Sequence, residues 1–190
     1  MLESVCKDIA SWMDKGITPV RVSTNFSRKH LGNPNFVHEV INIVDEYKIP
    51  RSLIVIELTE TTTESDLIRL SECVVEFRKA GFDVSVDDFG VGYSSMSMIK
   101  DIPFSEIKID RSFISSDSIS DRDMVMMKHI ISMAEDLGMN TIAEGVETKE
   151  QIEILKKYGC VRAQGFYFDK PLAKDDFEQV LCNPDYSSRG

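Results

Sequence analysis

The stretch SVDDFGVGYSS (85–95) sets Asp87 and Asp88 side by side at the end of an apolar run, with two glycines close behind. Adjacent like charges repel, and a cation is the simplest group that offsets them. The same kind of residue closes other β-rich runs: Asn25, Glu57, Lys108 with Asp110, Glu144 and Gln164. In LIVIELTE, Glu57 shares a strand face with Leu53 and Val55, so it follows aliphatic residues into a packed layer. A carboxylate there must be ion-paired, protonated or bound to metal, because burying it alone costs several kcal/mol. Alternation puts Asp87 on the face of Ser85 and Asp88 opposite, with Val86, where a turn or helix-start role would also suit it. Lys108 and Asp110 project to one side, as a buried pair would. Glu147 follows Glu144 just before a helix, whose N-terminus it would favour. Asn25 and Gln164 could be ordinary hydrogen-bonding residues. Taken together, these groups crowd many carboxylates around a single ammonium, that of Lys108. Divalent cations resolve the imbalance, and oxygen donors without histidine or cysteine suit Mg²⁺ or Mn²⁺, with Ca²⁺ as an inactive fit. Two metals about 3.5–4 Å apart would explain the adjacent acids and suit phosphoryl chemistry.

The elements that must position these residues alternate regularly. Short β-rich runs at 20–26, 53–59, 83–89, 106–110, 140–146 and 161–166 are separated by stretches with apolar residues at i, i+3, i+4 and i+7, the helical period. Gly81, Gly138 and Gly159 stand where helix C-caps are expected. Strand alternating with helix predicts parallel pairing and an α/β fold. Polar residues at the C-terminal end of every strand favour the mouth of a TIM-like (β/α) barrel over a doubly wound sheet, which binds ligands at one switch point. Only about six strands are present, the first clear element is a helix, and a full barrel needs about 250 residues. The barrel is therefore expected to be incomplete, with its first one or two strands missing.

One domain, 1–190, is expected, ending in a frayed tail at 183–190. A net charge of −10 argues against a broad nucleic-acid surface, and so against DNA as a partner. No apolar run approaches the ~20 residues of a membrane span, and the acidic, amphipathic N-terminus is no signal peptide. Direct membrane insertion is not expected. Cys6, Cys73, Cys160 and Cys182 lack CxxC spacing and are expected to be buried, reduced thiols of a cytoplasmic protein. His30, His38 and His129 lack zinc-ligand spacing.

The ordered segments VSTNFS, IELTE, SVDDFGVGYSS, IKIDRSF, IAEGVET and QGFYFDKPL resemble the successive signatures of EAL domains, over about residues 2–181. The resemblance implies a bacterial cyclic di-GMP phosphodiesterase with a TIM-like barrel, cutting one phosphodiester to give linear pGpG. By position, Asn25, Glu57 and Asp87 resemble ligands of a first metal. Asp87, Asp88 and Asp110 resemble the surroundings of a second. Lys108 resembles the residue that holds the attacking water and offsets phosphate charge, and Glu144 an essential active-site acid. Glu147 and Gln164 resemble supporting groups, the 88–97 stretch a loop linking the metal site to a dimer interface, and Glu60 the glutamate that anchors that loop. The resemblance also implies a homodimer and a longer parent protein with upstream regulatory domains, to which a membrane attachment could belong. The Glu-Ala-Leu motif that names the family occurs nowhere in the sequence. It belongs on an early strand, which leads us to expect an EAL domain without its first strands and with impaired activity. A non-catalytic nucleotide sensor or interaction scaffold is the alternative. An enolase-like barrel with Lys108 as base is a third, which the motif order disfavours.

Overall fold

The computed structural model describes residues 1–59, 64–90, 96–114 and 120–182. The segment expected to fray, 183–190, and the loop-anchoring candidate Glu60 lie outside the described residues.

Helix and strand alternate along the chain as α1 (Leu2–Asp14), β1 (Val22–Phe26), α2 (Arg28–Leu31), α3 (Phe36–Glu46), β2 (Ile54–Thr59), α4 (Glu64–Lys79), β3 (Asp83–Phe89), α5 (Met96–Asp101), β4 (Glu106–Ile109), α6 (Asp121–Asp136), β5 (Asn140–Ala143), α7 (Lys149–Lys157), β6 (Arg162–Ala163) and α8 (Lys174–Cys182). The strands lie in chain order in one six-stranded sheet, and every pairing is parallel. This is a curled half-barrel of the TIM type, with β1 and β6 outermost.

Two faces of the sheet carry different residues. On β2, Ile54, Ile56 and Leu58 are buried in the main apolar cluster, whereas the alternate residues Val55 and Glu57 are buried but lie outside it. The aliphatic face packs outward under the helices, with α4 against β3 and α6 against β4 and β5. Each fully buried Ile, Leu or Phe there contributes about 1.5–3 kcal/mol. Phe26, Phe36, Phe77 and Phe82 run edge to face from β1 through α3 and α4 to the start of β3, with centroids 5.1, 5.4 and 5.8 Å apart. Helix α8, which the sequence reading did not place, packs on α1. Trp12 meets Phe177 at 5.7 Å, Lys15 pairs with Glu178 at 2.5 Å, and Lys174 pairs with Asp8.

Strand β6 is shorter than expected, only two residues. Gly81, Gly138 and Gly159 follow their helices with positive φ, as C-caps do. The thiols are free, but Cys73 is only partly buried and Cys182, the last residue of α8, is exposed, which corrects the expectation that all four are buried.

Candidate active site

The strand C-termini gather their polar groups through register. Asn25 on β1 stands beside Glu57 on β2, and Thr59 beside Asp87 on β3. Lys108 lies on β4, and Glu144 follows β5 directly, its N–H donating to the Ile109 carbonyl at 3.0 Å. The centre of the group is the ammonium of Lys108, a residue only 5% exposed. It meets Glu144 Oε1 at 2.7 Å, Asp87 Oδ1 at 2.9 Å and Glu57 Oε2 at 3.1 Å. An ammonium has three N–H donors, so each is engaged by a different carboxylate.

Asn25 completes this layer. Its amide terminus lies 3.0 Å from Glu57 Oε2 and 3.2 Å from Asp87 Oδ2. With its nitrogen turned inward the amide donates to both carboxylates. With its oxygen turned inward, three oxygens converge, an arrangement that calls for a cation between them.

Asp88 departs from simple alternation. The pairing of β3 with β4 shifts between Val86 and Phe89, and Asp88 takes a φ of 54°. A bulge re-aims the side chain it carries, and a left-handed non-glycine residue costs about 1–2 kcal/mol. The result overturns the expectation that Asp88 points away from Asp87. Oxygen atoms of Asp87, Asp88 and Glu144 all lie within 4.8 Å of one another.

The electrostatics follow from one positive charge among several negative ones. Burial alone would lower the Lys108 pKa, but its hydrogen bonds to Glu144 and Asp87 and the charge of Glu57 outweigh burial and hold it above the ordinary lysine range. Burial raises Glu144; the hydrogen bond from Lys108 opposes that rise, and the charges of Asp87 and Glu57 add to it. Burial also raises Asp88, reinforced by Asp87 and Asp110. The donor set consists of oxygens with excess negative charge, which fits a hard divalent cation such as Mg²⁺ or Mn²⁺. Asn25, Glu57, Asp87 and Asp88 are the residues that would hold it, with the Glu144 carboxylate beside them.

Other candidates sit elsewhere. Asp110 accepts from the Ser112 N–H at 2.8 Å and so caps the 3₁₀ turn Arg111–Phe113; its reach to Asp88 is electrostatic. Glu147 is exposed ahead of α7, where Thr148 and Gln151 form the capping box. Gln164 is exposed and lines a cavity of about 930 Å³ with Arg21, Phe166, Phe168 and Phe177. The buried acid that the sequence reading missed is Glu106, 2% exposed and two residues before Lys108. Strand alternation in EIKID was the signal that could have found it.

Comparisons with known proteins agree with this geometry. The family model for the EAL domain matches residues 1–171. The chain is 33% identical over 181 residues to the cyclic di-GMP phosphodiesterase NbdA of Pseudomonas aeruginosa, a match covering 95% of this chain and 23% of NbdA. It spans roughly a quarter of the length of the curated relatives it matches. The crystal structure of the EAL domain of Mycobacterium smegmatis DcpA superposes with a TM-score of 0.89 at 31% identity, covering 95% of this chain and 82% of that one. Klebsiella pneumoniae BlrP1, solved as a complex with manganese and cy-diGMP, superposes with a TM-score of 0.79 at 27% identity, covering 91% of this chain and 44% of that one. With the family model matched along most of its length and the acidic barrel mouth in place, the chain belongs to the EAL domain family.

Proposed function

We propose that this chain carries the site for metal-dependent hydrolysis of one phosphodiester bond of cyclic di-GMP, giving linear pGpG. The reading rests above all on the convergence of Glu57, Asp87 and Glu144 on a single buried ammonium, with Asn25 and Asp88 beside them. The phosphodiesterase NbdA and the manganese and cy-diGMP complex of BlrP1 support it.

Hydrolysis adds hydroxide to phosphorus, breaks one P–O bond and returns a proton to the departing sugar oxygen. Bound Mg²⁺ or Mn²⁺ would supply an activated water and charge stabilisation at phosphorus. The chain's residues supply the rest. Asn25, Glu57, Asp87 and Asp88 hold oxygen donors in place on adjacent strand ends. Lys108 turns its ammonium from a carboxylate toward the phosphate oxygens as negative charge builds there. Glu144, whose carboxyl is raised by burial, takes the proton from the attacking water. Gln164 and Glu147 support the nucleotide from the β6 and α7 side, and Asp110 contributes negative potential through Asp88.

The reading extends to a homodimer about residues 88–101. Met96 and Ile68 are 62% and 59% exposed, beside a cleft lined by Leu67, Met98 and Ile102. Among the described residues no helix is long and apolar enough to cross a membrane. A cytoplasmic module of a longer signalling protein is the setting we propose.

The test is chromatographic assay of cyclic di-GMP with Mg²⁺ or Mn²⁺, with light scattering for the dimer. Release of pGpG, lost in Glu57→Gln and Asp87→Asn, is the expected result. Calorimetric binding of cyclic di-GMP without turnover would replace the enzyme with a nucleotide sensor. Neither binding nor turnover would defeat both.

A further inference from the structure

Below the carboxylate layer, at the start of the strands, lies a second charged cluster in which arginines surround one buried carboxylate. Glu106, buried at the start of β4, meets Arg21 Nη2 at 3.2 Å and Arg162 Nη1 at hydrogen-bond distance. Arg21 also meets Asp83 Oδ2 at 2.9 Å. Arg78, from the end of α4, donates to Asp83 Oδ1 at 2.8 Å and to Ser105 Oγ at 2.7 Å. Arg21 immediately precedes β1 and Arg162 opens β6, so one buried carboxylate joins the two outermost strands of the sheet.

Among the described residues β1 and β6 are not neighbours in the sheet, and no backbone ladder joins them directly. A buried carboxylate whose arginines withdrew would be left charged and unpaired, which opposes separation of the strands. The three strands so joined each rise to a residue at the mouth: β1 to Asn25, β4 to Lys108 and β6 toward Gln164. At about 3.3 Å per residue these lie roughly 7–13 Å above the floor, so a splayed floor misplaces the mouth.

We propose that Glu106 is a positioning residue, whose carboxylate clamps the outer strands through Arg21 and Arg162 and so sets the spacing of the metal donors above it. The second half of this statement rests on the metal site proposed above.

The experiment places spin labels at the exposed positions Val20 and Val161, 40% and 85% exposed and adjacent to the two arginines, with Cys73 and Cys182 replaced by serine. Double electron–electron resonance gives the distance distribution, and calorimetry with Mn²⁺ alone gives metal affinity. The parent chain should show one narrow distance. Glu106→Gln should broaden it and weaken Mn²⁺ binding, by at most the ~10- to 100-fold that follows loss of a group hydrogen-bonded directly to a metal ligand. Arg162→Gln, at a partly exposed side chain, should fold and change both in the same direction. Glu106→Asp, which keeps the charge, should recover part of both. Arg51→Gln, which removes the exterior pair with Asp45, should change neither. A narrow distance in folded Glu106→Gln and Arg162→Gln overturns the clamp, and a broadened distance with the parent's Mn²⁺ affinity unchanged overturns the positioning role. A parent chain that keeps its narrow distance but binds no Mn²⁺, with the variants broadened, defeats the metal reading while upholding the clamp.

Discussion

Replacing Lys108 with methionine removes the one ammonium that the described residues place in the upper layer, while keeping most of its volume. Three carboxylates then face one another uncompensated: Glu57, with a side chain 4% exposed, and Asp87 and Glu144, with side chains 14% and 18% exposed. Removing one partner of a buried ion pair costs about 3–5 kcal/mol. The three pairs share one charge, so their losses do not add, and Asp87 and Glu144 can draw water. We therefore expect a total within that range. For a domain of this size each kcal/mol moves Tm by about 2–4 °C, so Lys108→Met should melt about 6–20 °C lower. The deficit should depend on pH. Burial already holds Glu144 above its ordinary 4.5, and losing Lys108 removes the interaction that opposes this rise. A carboxyl whose folded pKa is raised favours folding fully below its unfolded pKa, and that contribution is lost as pH climbs through the folded value. The deficit should therefore be largest near pH 8 and shrink toward about pH 5, as protonation relieves the repulsion. Thermal unfolding followed by circular dichroism in EDTA measures it. Mn²⁺ should then raise Tm more in the variant than in the parent, because a divalent ion supplies the missing charge. A Tm equal to the parent's at about pH 8, or a deficit flat across pH, would refute the reasoning.

Two further outcomes are expected. Burial pushes the Cys6 thiol up to about 11, so native protein should react with iodoacetamide first at the exposed Cys182, while Cys6 and Cys160 react only on unfolding; mass spectrometry of timed samples reads the order. A methyl group added at Gly165 would lie 2.1 Å from the Val146 carbonyl oxygen, a backbone atom that cannot step aside. Gly165→Ala should therefore cost about 1–3 kcal/mol or more in chemical denaturation, and a midpoint matching the parent's would show that the β6 turn yields.

Much of the fold was legible because its signals are local. Alternation in LIVIELT and helical periodicity in 121–138 each need only a short window, and both elements formed near their expected bounds. What escaped depended on geometry beyond that window. Two-residue alternation turned Asp88 away from Asp87, and only the shift in β3–β4 pairing, with a left-handed backbone at Asp88, brings the two together. Asp110 carries the right chemistry in the right motif, yet its carboxylate is engaged by the turn that follows. Helix α8 bears apolar residues at Phe177, Val180 and Leu181, but it becomes distinct through its docking on α1, nearly the whole chain away. Glu106 met its arginines for the same reason: Arg21 and Arg162 are 85 and 56 residues distant and converge only when the sheet curls.

The two faces of one sheet explain how such a lumen is tolerated. Outward-facing Ile54, Ile56, Leu58, Val84, Val86, Ile107 and Ile109 are all nearly fully buried under helices, so cohesion does not depend on the inward face. Replacing buried ion pairs by well-packed apolar side chains is often neutral or stabilising, which means stability alone gives no reason to keep Glu57, Asp87 and Glu144 around Lys108. Their arrangement is costly in a further way, since one ammonium cannot neutralise three carboxylates: burial raises Glu144 and Asp88, and the neighbouring negative charges add to that rise. Charged groups held against their own repulsion at the strand ends, above a floor of paired arginines, are what a cation-dependent site requires and what a merely structural lumen would replace with Val or Leu.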